Sequence, residues 1–133
     1  MTTRRAVLAA AAVLATSPSL ASEPGTARGA WVAEEIAGTA VAGGAATLEI
    51  GADGAVSGSG GCNRYRGRAE IAAGTIAFSP LAATRMACPG AAMEQEGRFL
   101  AALAAARRFR FEDGRLVLSG EDGAVVARLR RAG

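Results

Sequence analysis

Cys62 and Cys88 are the only two cysteines in the 133-residue chain. Such a pair can form a disulfide, do redox chemistry or help to hold a metal. The sequence has no histidine and no Cys-x-x-Cys spacing, so the pair makes a poor zinc site. A disulfide suits an exported chain, because oxidising compartments preserve one. It would close a loop of about 27 residues and stabilise a small domain by roughly 3.5 kcal/mol in the chain-entropy model. Two buried free thiols are the plain alternative.

The missing residue types narrow the chemistry further. All 15 basic residues are arginine, and lysine is absent along with histidine. A Ser-His-Asp triad, a Cys-His pair, a Schiff-base lysine and a Walker-type phosphate lysine are thereby excluded. The carboxylates offer no local acid/base dyad. Glu34 and Glu35 are strand neighbours and point to opposite faces, while Glu94 and Glu96 diverge on a helix, where the first turn accounts for them. Gly58-x-Gly60-Gly61 superficially resembles a phosphate-cradling loop, yet no helix follows it in a strand-helix-strand unit. A bulge or a close backbone crossing is the expectation, with the Asn63 amide tying down the same loop. No catalytic residue and no cofactor are expected; the default is a binding or structural module.

Arginines gather late in the chain, and in Arg108-Phe109-Arg110-Phe111 the strand period sends both arginines to one face. Arg128 and Arg130 likewise share a face. If these strands are neighbours, Arg108, Arg110, Arg128 and Arg130 form a strip able to meet the phosphates of lipopolysaccharide or anionic phospholipid. Glu112, Asp113, Glu121 and Asp122 lie in the same hairpins, so a salt-bridged, solvated face is the expectation.

Residues 1–21 read as a signal peptide: Arg4-Arg5, an apolar run from Ala6 to Ala15, then Ser19-Leu20-Ala21 with small residues before the cleavage point. The run is about 10 residues against roughly 20 needed to cross a bilayer, so the protein is not membrane-spanning. Thr3-Arg4-Arg5-Ala6-Val7-Leu8 keeps the twin-arginine route open beside Sec. Ser22, not cysteine, follows Ala21, so no lipid anchor is expected. Without Arg4 and Arg5, 13 arginines face 12 acids, and the net charge falls from +3 to about +1; nucleic acid is then not an expected partner. The expected location is periplasmic or secreted.

These residues must be positioned by a small core. Half the chain is hydrophobic, but 34 residues are alanine, with 4 Phe, 1 Tyr and 1 Trp as large anchors. After a flexible lead-in at 22–29, one domain spans 30–131. Strands are expected at Trp31 to Ile36, Thr47 to Ile50, Ala55 to Gly58, Arg68 to Ala72, Thr75 to Phe78, Arg108 to Glu112, Arg115 to Ser119 and Ala124 to Arg130. Asp53-Gly54, Ala73-Gly74, Asp113-Gly114 and Asp122-Gly123 supply the turns. A helix is predicted from Ala91 to about Arg107, acidic early and basic late, with Met93, Leu100 and Leu103 on one stripe and Phe99 beside it. Ile71, Ile76 and Phe78 are candidates for the core, and Met86 and Met93 for core or loop packing. The fold class is α+β: a curled antiparallel sheet or half-open barrel of about 7–8 strands packed on one helix at about 91–107.

Two segments are more particular than composition explains. One is Val56-Ser57-Gly58-Ser59-Gly60-Gly61-Cys62-Asn63-Arg64-Tyr65-Arg66-Gly67; the other is Leu81-Ala82-Ala83-Thr84-Arg85-Met86-Ala87-Cys88-Pro89. With Trp31 before them and Glu96-x-x-Phe99-Leu100-x-x-Leu103 after, the chain resembles the META domain, the HslJ-like family of bacterial envelope proteins. The resemblance implies a compact exported domain, often lipoprotein-tethered, and linked to heat shock or antibiotic tolerance in some members. It also implies a fold similar to the cracked barrel of a lipid-binding type III secretion pilotin, with no established enzymatic activity. This chain departs from the tethered members at Ser22. The expectation is an exported, non-catalytic binding or envelope stress-support protein with an unidentified envelope protein or lipid as partner. The alternative is a small-ligand or lipid-binding module, in which the half-open barrel admits an acyl chain and the arginine strip holds its head group.

Overall fold

Alternating apolar and polar residues between turn signals make strands of most of the chain. The computed structural model describes residues 26–42 and 44–132, so the expected leader and the first half of the lead-in lie outside the described residues. In order come β1 (Gly29–Ile36), β2 (Thr39–Ala40), β3 (Thr47–Ile50), β4 (Ala55–Ser59), β5 (Arg64–Ala72), β6 (Thr75–Phe78), β7 (Ala82–Ala83), α1 (Gly90–Ala105), β8 (Arg108–Glu112), β9 (Arg115–Ser119) and β10 (Val125–Arg131). The two strands beyond the expected set, β2 and β7, are two residues long, too short for any periodic signal. β5 starts four residues before its expected beginning, so Arg64 to Gly67 of the glycine- and cysteine-bearing segment are strand.

The sheet runs β10-β9-β8-β6-β5-β4-β3-β1-β2, with β7 beside β5 and a further pairing of β10 with β1. Every pairing is antiparallel. A curled, half-open ring results, thinnest where β6 meets β8 through the single pair Thr75 and Arg108. Trp31, Leu48, Ile50, Val56, Tyr65, Ile76, Leu116, Leu118 and Leu129 fill it, and α1 adds Phe99, Ala102 and Leu103. The class is α+β, as the sequence implies. Ile71 and Phe78 lie at the margin of the core, half-buried.

Three local expectations change. The helix starts at Gly90 on Pro89 and ends at Ala105, with no acid in its first turn and no base in its last. Glu94 therefore falls in the second turn. Arg107 lies past the end, yet its Nη1 donates to the carbonyls of Ala104 and Ala106 at 2.9 and 2.8 Å, so it still meets the negative end of the helix. The buried stripe is Gln95, Glu96, Phe99, Ala102 and Leu103; Met93 is 38% exposed. Hydropathy misplaces this face because two of its members are polar. Finally, residues 26–28, expected in a flexible lead-in, are held: the Trp31 indole donates to the Ala27 carbonyl at 2.8 Å, and Arg131 donates to the carbonyls of Thr26 and Arg28.

Candidate functional site

Both distinctive segments arrive at the buried face of α1, where Glu96 stands one turn before Phe99. Turning Glu96 inward places a carboxylate where water is excluded, which is costly unless its oxygens are hydrogen-bonded. Oε1 accepts the backbone N–H groups of Cys62 at 3.1 Å and Asn63 at 2.5 Å, and Oε2 accepts Asn63 Nδ2 at 2.8 Å. Burial pushes the Glu96 carboxyl up, but these hydrogen bonds outweigh it and hold the group below the ordinary carboxylate range. Asn63 Oδ1 in turn accepts Thr84 Oγ1 at 2.9 Å and Met86 N at 2.6 Å, while Nδ2 also reaches the Met86 carbonyl at 3.3 Å. Thr84 Oγ1 accepts the Arg64 amide at 3.2 Å. Asn63 and Glu96 thus clamp the 84–86 loop, the 60–63 loop and the helix together. Next to Glu96, the buried Gln95 does the same for another loop, accepting Ala42 N and donating to the Gly44 carbonyl.

The glycines serve this clamp by close approach. A Cβ on Gly60 would lie 2.5 Å from Glu96 Cγ, and one on Gly58 would collide with the Thr47 carbonyl and stand 2.8 Å from Tyr65 Oη. That room lets the Tyr65 hydroxyl donate to the Thr47 carbonyl at 2.6 Å. Burial keeps the phenol neutral, its pKa far above the usual range, and its ring stands edge-on to Phe99 at 6.1 Å. Gly61 takes a left-handed turn, and Gly67 sits in β5 opposite Val56. Cys62 and Cys88 form a disulfide with Cα atoms 6.1 Å apart. It joins the two segments beside the clamp; Ala87 precedes it on the surface, and Pro89 follows as the helix N-cap.

These residues are therefore brought together, but as a fold-holding constellation. Every buried side-chain nitrogen and oxygen among the described residues has a partner. Glu96 is the member that composition-based reasoning misassigns to the helix dipole. The signal that finds it is spacing: Gln95 and Glu96 lie four and three residues before Phe99, on the stripe that continues to Ala102 and Leu103.

The expected arginine strip lies on the outer face of β8, β9 and β10, where it is neutralised. Arg110 pairs with Glu112 at 2.6 Å; Arg128 pairs with Glu112 at 3.1 Å and Glu35 at 3.5 Å; Arg130 and Arg115 pair with Glu34 at 3.8 and 2.5 Å. Arg110 and Arg128 hold the Glu112 carboxyl below its usual range. Of the hairpin acids expected to neutralise it, Glu112 does so, while Asp113, Glu121 and Asp122 give way to Glu34 and Glu35 of β1. A register shift between Ala33 and Glu35 lets two sequence neighbours reach one face, as a bulge does, and overturns the strict alternation expected of them. Arg108 belongs to the β6–β8 junction, opposite Ser119 and Thr75, and carries no ion pair among the described residues.

Met86 is 56% exposed, so neither it nor Met93 packs in the core. Both line an open cleft of about 520 Å³ over the clamp, with Leu81, Thr84 and Arg85. A neighbouring cleft of about 490 Å³ is lined by Ser57, Arg64, Tyr65, Arg66 and Thr84. Among the described residues, no three side chains of the His, Cys, Asp or Glu kind are placed to share a metal ion, and no helix is long and apolar enough to cross a membrane.

Solved structures share this architecture. The NMR structure of a protein from Burkholderia xenovorans is 27% identical, with a TM-score of 0.64 over 88% of this chain and 95% of that one. A second NMR structure, 22% identical, gives a TM-score of 0.60 over 76% of this chain and 87% of the other. A DUF4847 family protein from Bacteroides vulgatus, 18% identical, gives 0.53 over 65% and 59%. The last two likenesses speak to the fold alone. No curated protein gives a significant match to the sequence. The sequence profile of the META domain matches residues 25–133, a span that holds the clamp, the disulfide and the helix, and the chain belongs to this META-domain, HslJ-like family.

Proposed function

We propose that the protein is an exported, non-catalytic module of the cell envelope that acts by binding, or by supporting the envelope under stress. One observation carries the non-catalytic reading. Asn63, Thr84 and Tyr65 of the family segments, together with Glu96, are engaged with one another and with backbone, which supports reading them as fold-holding groups and not as acid, base or nucleophile. Export draws support from the leader-like residues Arg4 to Ala21 and from the Cys62–Cys88 disulfide, a bond that oxidising compartments preserve. A Sec or twin-arginine signal peptide removed after Ala21 leaves a mature protein that begins at Ser22 without an anchor, in the periplasm or outside the cell. Heat or antibiotic stress as the occasion draws support from the family, some members of which are linked to them.

Fractionation of the native host with N-terminal sequencing of the recovered protein tests export. Recovery from the periplasm or medium beginning at Ser22 is the expected result, and an unprocessed cytoplasmic chain would overturn it. Crosslinking in heat-stressed cells then identifies the partner class. Turnover of a substrate that disappears on replacing one residue of the 58–67 loop, with folding intact, would refute the absence of catalysis.

A further inference from the structure

The face of β5 that points away from the core carries Arg64, Arg66 and Arg68 on alternate residues, all exposed, with Cα atoms of successive members roughly 6.6 Å apart. Arg68 is engaged, since its Nη2 donates to the Asp53 carbonyl at 2.6 Å. Arg64 and Arg66 differ. Among the described residues, no carboxylate pairs with either, nor with Arg85 on the adjoining loop, whereas Arg110, Arg115, Arg128 and Arg130 all have glutamate partners. By register, Arg66 lies opposite Ser57 and Arg64 opposite Ser59 on β4, and Ser57, Arg64, Arg66 and Thr84 line the 490 Å³ cleft. The carboxylates in the neighbourhood lie further off. Glu49 is one strand beyond Ser57, Glu70 is four residues past Arg66 along β5, and Glu96, on the floor of the second cleft, is held by its three N–H donors.

We propose that this cleft on β4, β5 and β7 is a phosphate-binding site: Arg64 and Arg66 hold a phosphate group, Ser57 donates from the cleft wall, and Arg85 adds charge at the margin. Guanidinium forks match phosphate oxygens two at a time and carry little hydration to lose. Unpaired arginines in a concave site pay no ion pair to bind an anion, unlike those on the opposite face. The cleft shares Ala83 and Thr84 with the second, where Leu81, Met86 and Met93 supply apolar surface. The site therefore accommodates a phosphate from either of two sources, a soluble phosphomonoester or the head group of an anionic lipid whose chain lies along the methionines. The inference deepens the reading of the protein as a binding module, but its test is made with purified protein and does not depend on export.

The experiment compares three proteins: the unmodified chain, R64Q/R66Q, and R110Q/R128Q, which loses the same two charges from the ion-paired face. Binding is measured to glycerol phosphate by titration calorimetry, and to vesicles of phosphatidylglycerol and of phosphatidylcholine by co-sedimentation. Each arginine near an anionic surface is worth about fivefold in affinity, so R64Q/R66Q should bind phosphatidylglycerol vesicles roughly 25-fold more weakly, with R110Q/R128Q within about threefold of the unmodified chain. Binding to glycerol phosphate alone identifies the soluble source. Preference for phosphatidylglycerol that weakens on Met86→Ser/Met93→Ser identifies the lipid. Equal loss in both arginine variants, equal binding to the two vesicle types without glycerol phosphate binding, or no binding to any probe would overturn the proposal. Circular dichroism confirms that the exposed substitutions leave the fold unchanged, and a partner protein recovered from cells while all probes fail would remove the phosphate site but leave the binding-module reading standing.

Discussion

Replacing Glu96 by glutamine tests whether the buried clamp holds the fold together through charge. The substitution keeps the shape and keeps Oε1, which faces the N–H groups of Cys62 and Asn63 at 3.1 and 2.5 Å. It turns Oε2 into an amide nitrogen that faces Asn63 Nδ2, at present 2.8 Å away, so donor meets donor. Rotating the Asn63 amide relieves that contact only by aiming Nδ2 at Met86 N, another donor, now 2.6 Å from Oδ1. One charge-assisted bond is lost, two others become neutral, and a buried donor is left without an acceptor. Hydrogen bonds to charged groups contribute about 1.5–3 kcal/mol against about 1 for neutral ones, and an unsatisfied buried group costs about 1–3. A net loss of at least about 3 kcal/mol follows, which in a domain of roughly 100 residues lowers Tm by at least about 12 °C.

Acid sharpens the same test. Because the folded-state pKa of Glu96 lies below its ordinary value of 4.5, the unfolded chain binds the proton first. The clamp's electrostatic stabilisation is complete above that value and drains away as the pH falls through the folded pKa. Asp53 and Glu112 are lowered in the same sense and give both proteins a shared background slope. Urea unfolding between pH 7 and pH 3 should show a shallower loss of stability for E96Q than for the unmodified chain. A Tm within about 3 °C of the original at pH 7, or parallel pH profiles, would refute the charged clamp.

Three further outcomes follow from neighbouring contacts. Asn63→Asp sets a second carboxylate against Glu96 Oε2 and the Met86 carbonyl, and repulsion raises one carboxyl's pKa in the folded state. This variant should be strongly destabilised at pH 7 and gain stability as the pH falls towards 5, opposite to the unmodified chain; a profile of the same sign would count against the geometry. Gly58→Ala inserts a methyl group against the Thr47 carbonyl and Tyr65 Oη, an overpacking worth about 1–3 kcal/mol, and a urea midpoint unchanged by the substitution would show that the crossing is not tight. Cys62→Ser/Cys88→Ser should cost roughly 3.5 kcal/mol; two freely alkylated thiols in protein recovered from its own host would show that the bond is not formed there.

The order of strands was legible because each hairpin carries its own signal. Asp113-Gly114 and Ala73-Gly74 join strands that pair where the alternation places them. Longer-range geometry was not. The bulge at Ala33 to Glu35 arises from the pairing of β1 with β10, whose residues lie about a hundred positions apart, and nothing local announces it. It decides the fate of the arginine strip, since Glu34 and Glu35 reach the same face only through that irregularity. The inward turn of Gln95 and Glu96 was hidden for a different reason. A hydropathy stripe ranks polar residues as outward, and only partners distant in sequence make their burial favourable. Cys62 and Asn63 could be recognised as special by type, but their shared partner on the helix could not.

A strand divides its residues between two faces, and β5 uses the division to separate two duties. Tyr65 and Ala69 point into the core, while Arg64 and Arg66 stand between the structural anchors Asn63, Tyr65 and Gly67 and point outward. Arg85 similarly stands between Thr84 and Met86, whose hydroxyl and backbone N–H both donate to Asn63. The residues that carry the family likeness are thus the ones that build the clamp, and they fix where the intervening positions are displayed. Fold and binding preference are then separable by substitution: changes at 63, 65 or 96 act on stability, and changes at 64, 66 or 85 act on what the surface attracts. Charge at the outward positions is tolerated by the fold because those side chains are solvated, and on the opposite face, where the arginines are also partly exposed, it stands beside Glu34, Glu35 and Glu112. An arginine surface left uncompensated, opposite one whose arginines are paired, is the feature on which discrimination in favour of an anionic ligand would rest.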